Sequence, residues 1–284
     1  MNPLQDVRKL LEALSVDAVV LSSTELSVVA GAYLTSSILV ISRSRVLLLS
    51  ETPIDIDIGA DRVVVSPYMI SVDKYVIADT VYDALVPALR GVLEPGAAVG
   101  LDALSWPSRI VKAIERRWRV VDVSSSLRRI LIERMNIDEA RSLFIDACRA
   151  CLERRELSTL DALHEERAFV GVWIVTAYRN GYSAIVARPT NRELENAIKT
   201  LSAKRLSNAL DLVEAASQLA KSRGMKILGM RAVVPLTTLY RDTHSLSISR
   251  AVNLIAIESG SAASCLATFV GDRPEIVCCG DVYG

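Results

Sequence analysis

Six short runs rich in Val, Ile and Leu, at residues 18–22, 37–42, 45–50, 62–66, 97–101 and 119–123, constrain this chain more than any other feature. Each is too short for a packed helix and carries β-branched residues, so each reads as a strand, the run at 18–22 as a buried one. Residues 37–42 and 45–50 flank a tight Arg43-Ser44 connection and form a hairpin. Between the runs, residues 7–14, 77–93 and 105–117 have helical spacing, the last with Ser105 as N-cap ahead of Pro107. Strands alternating with helices predict an α/β domain with a mixed sheet covered by helices.

A linker helix over 124–133 leads to a change of character near Arg134, which divides the chain into domains 1–134 and 135–284. Helical spacing predicts helices over 137–157 and 160–180. Thr190 and Glu193 form a capping box that opens a helix to about 202, and another helix covers 207–222, ended by Gly224. Strand-like runs follow at 226–234, 252–258 and 266–270, so the second half reads as α+β.

Hydrophobic residues make up 51% of the 284, which calls for a large core or a covered apolar surface. The formal net charge is zero, and the arginines form no stripe interleaved with aromatics, which argues against nucleic acid as a partner. No apolar stretch reaches membrane-spanning length, no signal peptide is visible, and a cytoplasmic location is expected. The five cysteines are expected as buried free thiols. Cys148 and Cys151 form a C-x-x-C inside a helical pattern with no second pair at zinc spacing.

Taken in order, these segments resemble the creatinase, prolidase and aminopeptidase P family. DAVVLSSTELSVVAGAY (17–33), the ILVIS/VLLLS hairpin, VGLD (99–102) and RVVDVSSSLRRILIERMNIDEARSLFIDAC (119–148) are similar to that family's N-terminal domain and its passage into the catalytic domain. TNRELENAI (190–198), AVVPLTTLYRDTH (232–244), VNLIAIESG (252–260) and SCLATFVGDRPE (264–275) resemble the opening of its pita-bread domain. The extra segment 160–188, read as helical, matches nothing in the family pattern.

The resemblance implies a fold, an activity and a ligand set. Pita-bread peptidases hold two divalent metals, Mn, Co or Zn, between paired aspartates, a histidine and two glutamates. The first aspartate position falls on Glu258, which keeps the charge on a longer arm, and the second on Ser264, a poor neutral ligand. His244 corresponds to the family histidine that contacts substrate or moves a proton, and the remaining ligands lie outside these 284 residues. Asp242, Asp272, Glu275 and Asp281 cluster in sequence but read as solvated turn residues. The expectation is therefore a partial pita-bread domain with a vestigial Glu258, no bound cofactor, and a role as a binding or assembly module. The partner would be a second copy, a completing chain or a peptide. An active Xaa-Pro dinuclear metallopeptidase completed by another chain, and a metal-free creatinase-type hydrolase with His244 as base, are the alternatives.

Overall fold

The computed structural model describes residues 3–68, 74–103, 105–133, 135–153, 157–167, 170–234, 243–271 and 273–283, with the side chains of 3, 4, 6, 10, 243, 244 and 283 left out. The chain divides into two compact units: Met1–Ala30 with Leu34–Leu131, and Gly31–Tyr33 with Ile132–Gly284.

The first unit runs α1 (Pro3–Ala13), β1 (Ala18–Leu21), α2 (Ser23–Ala30), β2 (Ser37–Ser42), β3 (Val46–Ser50), β4 (Asp61–Ser66), β5 (Tyr75–Ile77), α3 (Val81–Arg90), β6 (Ala98–Leu101), α4 (Ser108–Glu115) and β7 (Arg119–Asp122), and passes into α5 (Ser124–Glu133). Its sheet has the order β5-β4-β3-β2-β1-β6-β7. The β1/β2 and β2/β3 pairs are antiparallel, and β3/β4, β4/β5, β1/β6 and β6/β7 are parallel. This is the mixed sheet the apolar runs predict. Successive strand residues point to opposite faces. Val19, Leu21, Leu39, Ile41 and Leu48 therefore join Val7, Leu26 and Leu127 in one core. Val20, Ile38, Val40, Leu47 and Leu49 join Leu85, Leu89, Ile110 and Ile114 in the other. Both faces are covered, which is why the runs show no polar alternation.

Two buried acids in this unit, Glu25 and Asp102, accept hydrogen bonds from named neighbours. Glu25 accepts the Ser22 amide at 2.7 Å, closing a capping box at the start of α2. Asp102 accepts Arg128 Nη2 at 2.7 Å, Arg128 Nε at 3.0 Å and the Ser124 hydroxyl at 2.7 Å, all out of solvent. The helix expected over 77–93 is a strand at Tyr75–Ile77 and then a helix, because Thr80 caps α3 by accepting the Asp83 amide at 3.3 Å. Ser105 does not cap α4. Its hydroxyl bonds Asp102 at 3.0 Å, and Pro107 stands at the N-cap position with no side-chain bond.

The second unit runs α6 (Ile137–Glu153), β8 (Ala162–Arg167), β9 (Trp173–Arg179), β10 (Tyr182–Arg188), α7 (Arg192–Lys199), α8 (Ala209–Ser222), β11 (Gly229–Val233), α9 (Thr243–Ile248), β12 (Ala251–Glu258), β13 (Ser261–Phe269) and β14 (Pro274–Cys278), ending in a 3-10 turn at Cys279–Tyr283. Among the described residues, β10-β9-β8 and β11-β12-β13-β14 form two antiparallel sheets. One face of the four-stranded sheet packs Val252, Leu254, Ala256, Ala263 and Ala267 against Leu194, Ile198 and Leu212 of α7 and α8. Its other face packs Ile255 and Ala262 against Ile185 and Ala187 of β10. Leu266 joins α6 and the β9/β10 pair in a further cluster.

Three expectations need correction here. Within the segment 160–188 expected as helix, Ala162–Arg167, Trp173–Arg179 and Tyr182–Arg188 are strands, so His164 sits on β8. Strand β10 is buried over Ser183–Ala187, so burial on both sides erased the alternation that marks a strand. The turn itself was readable: Asn180 and Gly181 have φ of +50° and +81°, and Asn-Gly between apolar runs is the favoured two-residue hairpin turn. The cap of α7 is Asn191, not Thr190. Its Oδ1 accepts the Leu194 amide at 3.0 Å, one register later than the capping box would have it. Finally, the cysteines are not all free. Cys148 bonds Cys279 and Cys265 bonds Cys278, leaving Cys151 as a buried thiol. No helix among the described residues is long and apolar enough to cross a membrane.

Candidate functional site

The site the sequence points to is the β12–β13 hairpin. Its turn is Ser259-Gly260, with Gly260 at φ +77° where an L side chain is strained. This two-residue turn fixes the register: Glu258 lies opposite Ser261, and Ile255 opposite Ser264. Paired residues share a face and successive residues alternate. Glu258 therefore belongs with Ser261, Ala263 and Cys265 on the face toward α7 and α8. Ser264 belongs with Asn253, Ile255 and Leu266 on the opposite face. The structure does not bring the two candidate positions together.

Each has a local role instead. Glu258 is half-buried, and its Oε2 accepts Asn191 Nδ2 at 2.7 Å. The same Asn191 amide reaches Ser261 Oγ at 3.3 Å while its Oδ1 caps α7. The Asn191 main-chain amide bonds the Ala262 carbonyl at 2.7 Å, and the Ala262 amide bonds Pro189 at 2.9 Å. Glu258 thus ties the hairpin tip to the N-terminus of α7, where a negative charge also complements the helix dipole. Ser264 is fully buried, and its hydroxyl oxygen accepts the Ala187 amide at 2.9 Å. Beside it, buried Asn253 accepts the Ile185 amide at 2.6 Å through Oδ1 and donates to the Cys265 carbonyl at 3.4 Å. Strand β10 lies at the edge of its own sheet. The amides of Ile185 and Ala187 would be buried orphans without these two acceptors.

A third acid lies near the hairpin. Glu195 on α7 is buried, with Oε2 accepting the Gly280 amide at 3.0 Å and Oε1 without a hydrogen-bond partner. Burial pushes its carboxyl above the ordinary carboxylate range, against the opposing pull of hydrogen bonds from the Gly280 and Ser264 main chain. A Cβ on Gly280 would run into Glu195 Oε2, so any larger residue there would push the carboxylate aside.

The remaining candidates do not converge on the hairpin. His244 falls within α9, but its side chain lies outside those described. Asp242 and Asp272 lie outside the described residues. Glu275 pairs with Arg141, and Asp281 pairs with Lys199 while accepting the Cys278 amide at 2.9 Å. Among the described residues, no three His, Cys, Asp or Glu side chains are grouped to hold a metal ion. The residues present do not fit a paired-metal centre on this hairpin: its two expected ligands face opposite ways, and Glu258 Oε2 and Ser264 Oγ each accept a structural hydrogen bond. Two positions that matter here, Asn191 and Asn253, were not singled out in the sequence. Asn253 had a readable signal, a lone amide inside the apolar run V-N-L-I-A-I, which must find partners once buried.

With this geometry in place, the fold can be compared with known structures. The chain is similar to an Xaa-Pro dipeptidase from Bacillus anthracis, with a TM-score of 0.60 and 9% identity over 96% of each chain. It is similar to a prolidase from Pyrococcus horikoshii OT3, with a TM-score of 0.60 and 12% identity over 98% of each chain. The dipeptidase PepE from Mycobacterium ulcerans gives 0.58 and 13%, covering 98% of this chain and 94% of that one. No protein-family model and no curated protein sequence matches. At these identities the likeness defines the architecture: the chain has a prolidase-like fold.

Proposed function

We propose that this chain is a homologue of the Xaa-Pro peptidases that keeps their fold as a binding or assembly module and has no metallopeptidase activity. One observation carries the reading. The hairpin positions at which the family resemblance puts metal ligands are engaged in structural hydrogen bonds on opposite faces of the sheet. Hard divalent ions need several oxygens converging on one point, and this hairpin offers one half-buried carboxylate that already bonds the cap residue of α7. The partner in this reading is a second copy of the chain or another protein, which light scattering of the purified protein would reveal.

The test is a thermal melt with Mn²⁺ or Co²⁺ against a chelator control, together with metal analysis and an Xaa-Pro dipeptide hydrolysis assay. A site binding only the native state would stabilise it by roughly 2.7 kcal/mol at about 100 times its dissociation constant. We expect no shift, no bound metal and no proline release. Close to two metals per chain with turnover would overturn the proposal in favour of an active dinuclear peptidase.

A further inference from the structure

We propose a small-molecule site in the first unit: a cavity beside α3 that takes an amphipathic carboxylate, an apolar body with a single anionic end. Helix α3 covers the middle of the sheet with Leu85 and Leu89, but β4 and β5 extend past it. The uncovered corner is a cavity of about 390 Å³. Its floor is Leu47, Leu49, Val63 and Val76, and its α3 wall includes Pro87 and Ala88. The volume falls within the range of small-ligand pockets, and so does the design of an apolar lining with a few polar groups at one end.

Charge decides what the cavity takes. Three charged residues line its rim, Arg45, Asp61 and Lys74, at the entrances to β3, β4 and β5. Lys74 Nζ bonds Asp61 Oδ1 at 2.8 Å, so these two charges largely satisfy each other. Arg45 is exposed, and its guanidinium makes no hydrogen bond or ion pair among the described residues. Asp61 also feels the Arg45 charge, so the rim sets two cations against one anion and carries a net single positive charge above an apolar floor. A guanidinium offers a planar fork that matches a carboxylate in two parallel hydrogen bonds. An alkyl or branched carboxylic acid satisfies both features. A cation of the same shape would meet Arg45 and Lys74, and a neutral hydrocarbon would leave Arg45 unused. This site lies wholly within the first unit and stands whether or not the second unit is catalytic.

The probe is sodium decanoate, titrated into the full-length chain by calorimetry and followed by amide chemical shifts. Decyltrimethylammonium serves as the cationic control and phosphatidylglycerol vesicles as the lipid-surface control. We expect saturable binding of one decanoate per chain, with shifts at Leu47, Val63, Val76 and Ala88. Arg45→Glu, at an exposed position, should weaken decanoate at least tenfold. Ala88→Trp, which fills the cavity from the helix side, should abolish binding, and its melting temperature reports whether it folds. The proposal is overturned by any of three results: no saturable binding, decyltrimethylammonium binding as well as decanoate, or Arg45→Glu binding like the parent. Capture by vesicles without binding of free decanoate overturns it too, in favour of a lipid surface.

Discussion

Replacing Ser264 with Ala asks whether this residue is a remnant of a metal site or a structural acceptor. The hydroxyl is fully buried and accepts the Ala187 amide at 2.9 Å, on the open edge of β10. Alanine removes the acceptor and leaves that amide inside a core of Ile185, Ile255 and Ala262, where no other described group bonds it. A buried donor left unpaired costs about 1–3 kcal/mol, well above the net worth of an average hydrogen bond. For a unit of this size each kcal/mol lowers the melting temperature by roughly 2–4 °C. Asn253→Ala, which strips the acceptor from the Ile185 amide, should cost at least as much because the amide side chain also leaves a void. The two positions share one strand as partner, so the double variant should depart from additivity. Urea unfolding of the three variants gives the energies. Hydrogen exchange adds a local readout, since the Ile185 and Ala187 amides should lose protection before those of Ala184 and Val186. Variants within about 0.5 kcal/mol of the parent, the size of an ordinary surface effect, would refute the claim that these side chains hold β10 in place.

Three further outcomes follow from the same structure. Denatured, unreduced protein should show one reactive thiol, Cys151, and five after reduction. On loop length alone, the bridges spanning 13 and 131 residues are worth about 3 and about 5 kcal/mol, so dithiothreitol should lower the urea midpoint sharply, and equal midpoints would refute the pairing. Burial raises the Glu195 carboxyl above its ordinary 4.5, so folding favours its protonated form relative to the unfolded chain. Its contribution is fully present below about 4.5 and is lost as pH rises through the folded value. Glu195→Gln should therefore be more stable than the parent at pH 8, with the gap closing toward pH 4; a gap independent of pH in urea unfolding would show that burial does not shift this group. In the first unit, Asp102→Ala removes the carboxylate that takes two bonds from buried Arg128 and should cost about 1.5–3 kcal/mol, measured as the change in unfolding free energy.

The sequence was legible where burial and period agreed. Strands β1, β2 and β3 are runs of Val, Ile and Leu long enough for a strand and too short for a helix, with Arg43-Ser44 marking the turn between the last two; helix α2, between β1 and β2, was not read. The same rule failed at Trp173–Arg179 and Tyr182–Arg188. There, small and apolar residues fill both faces and the length of the whole segment suits a helix, so only Asn180-Gly181 marked the break. The disulfides were not legible, because Cys148 and Cys279 stand 131 residues apart and only folding brings α6 to the terminal turn. The expectation of buried free thiols held for Cys151, whose pKa is raised to about 11 by desolvation, and failed for Cys148, which pairs with Cys279.

The candidate site was legible in residue type but not in geometry, and the reason lies in the turn. Across an antiparallel hairpin, which residues share a face is set by the number of residues in the loop. With Glu258 opposite Ser261, an even-numbered residue of β12 shares its face only with odd-numbered residues of β13. Glu258 and Ser264 are both even-numbered. A carboxylate introduced at 264 would therefore point toward Ala187 and the β10 edge, still away from Glu258, and would add a buried charge where a neutral acceptor now serves. Lengthening the turn by one residue would put the two positions on one face. It would also carry Ala263, Cys265 and Ala267 out of the core against α7 and α8, and Ala262, Ser264 and Leu266 out of the core against β10 and α6. The arrangement is held from both sides, by two cores and by the hydrogen bonds of Asn253 and Ser264. An acid at 264 therefore does not recover a pair facing one ion, and at these two positions it is the register, rather than the side chain present, that keeps them apart.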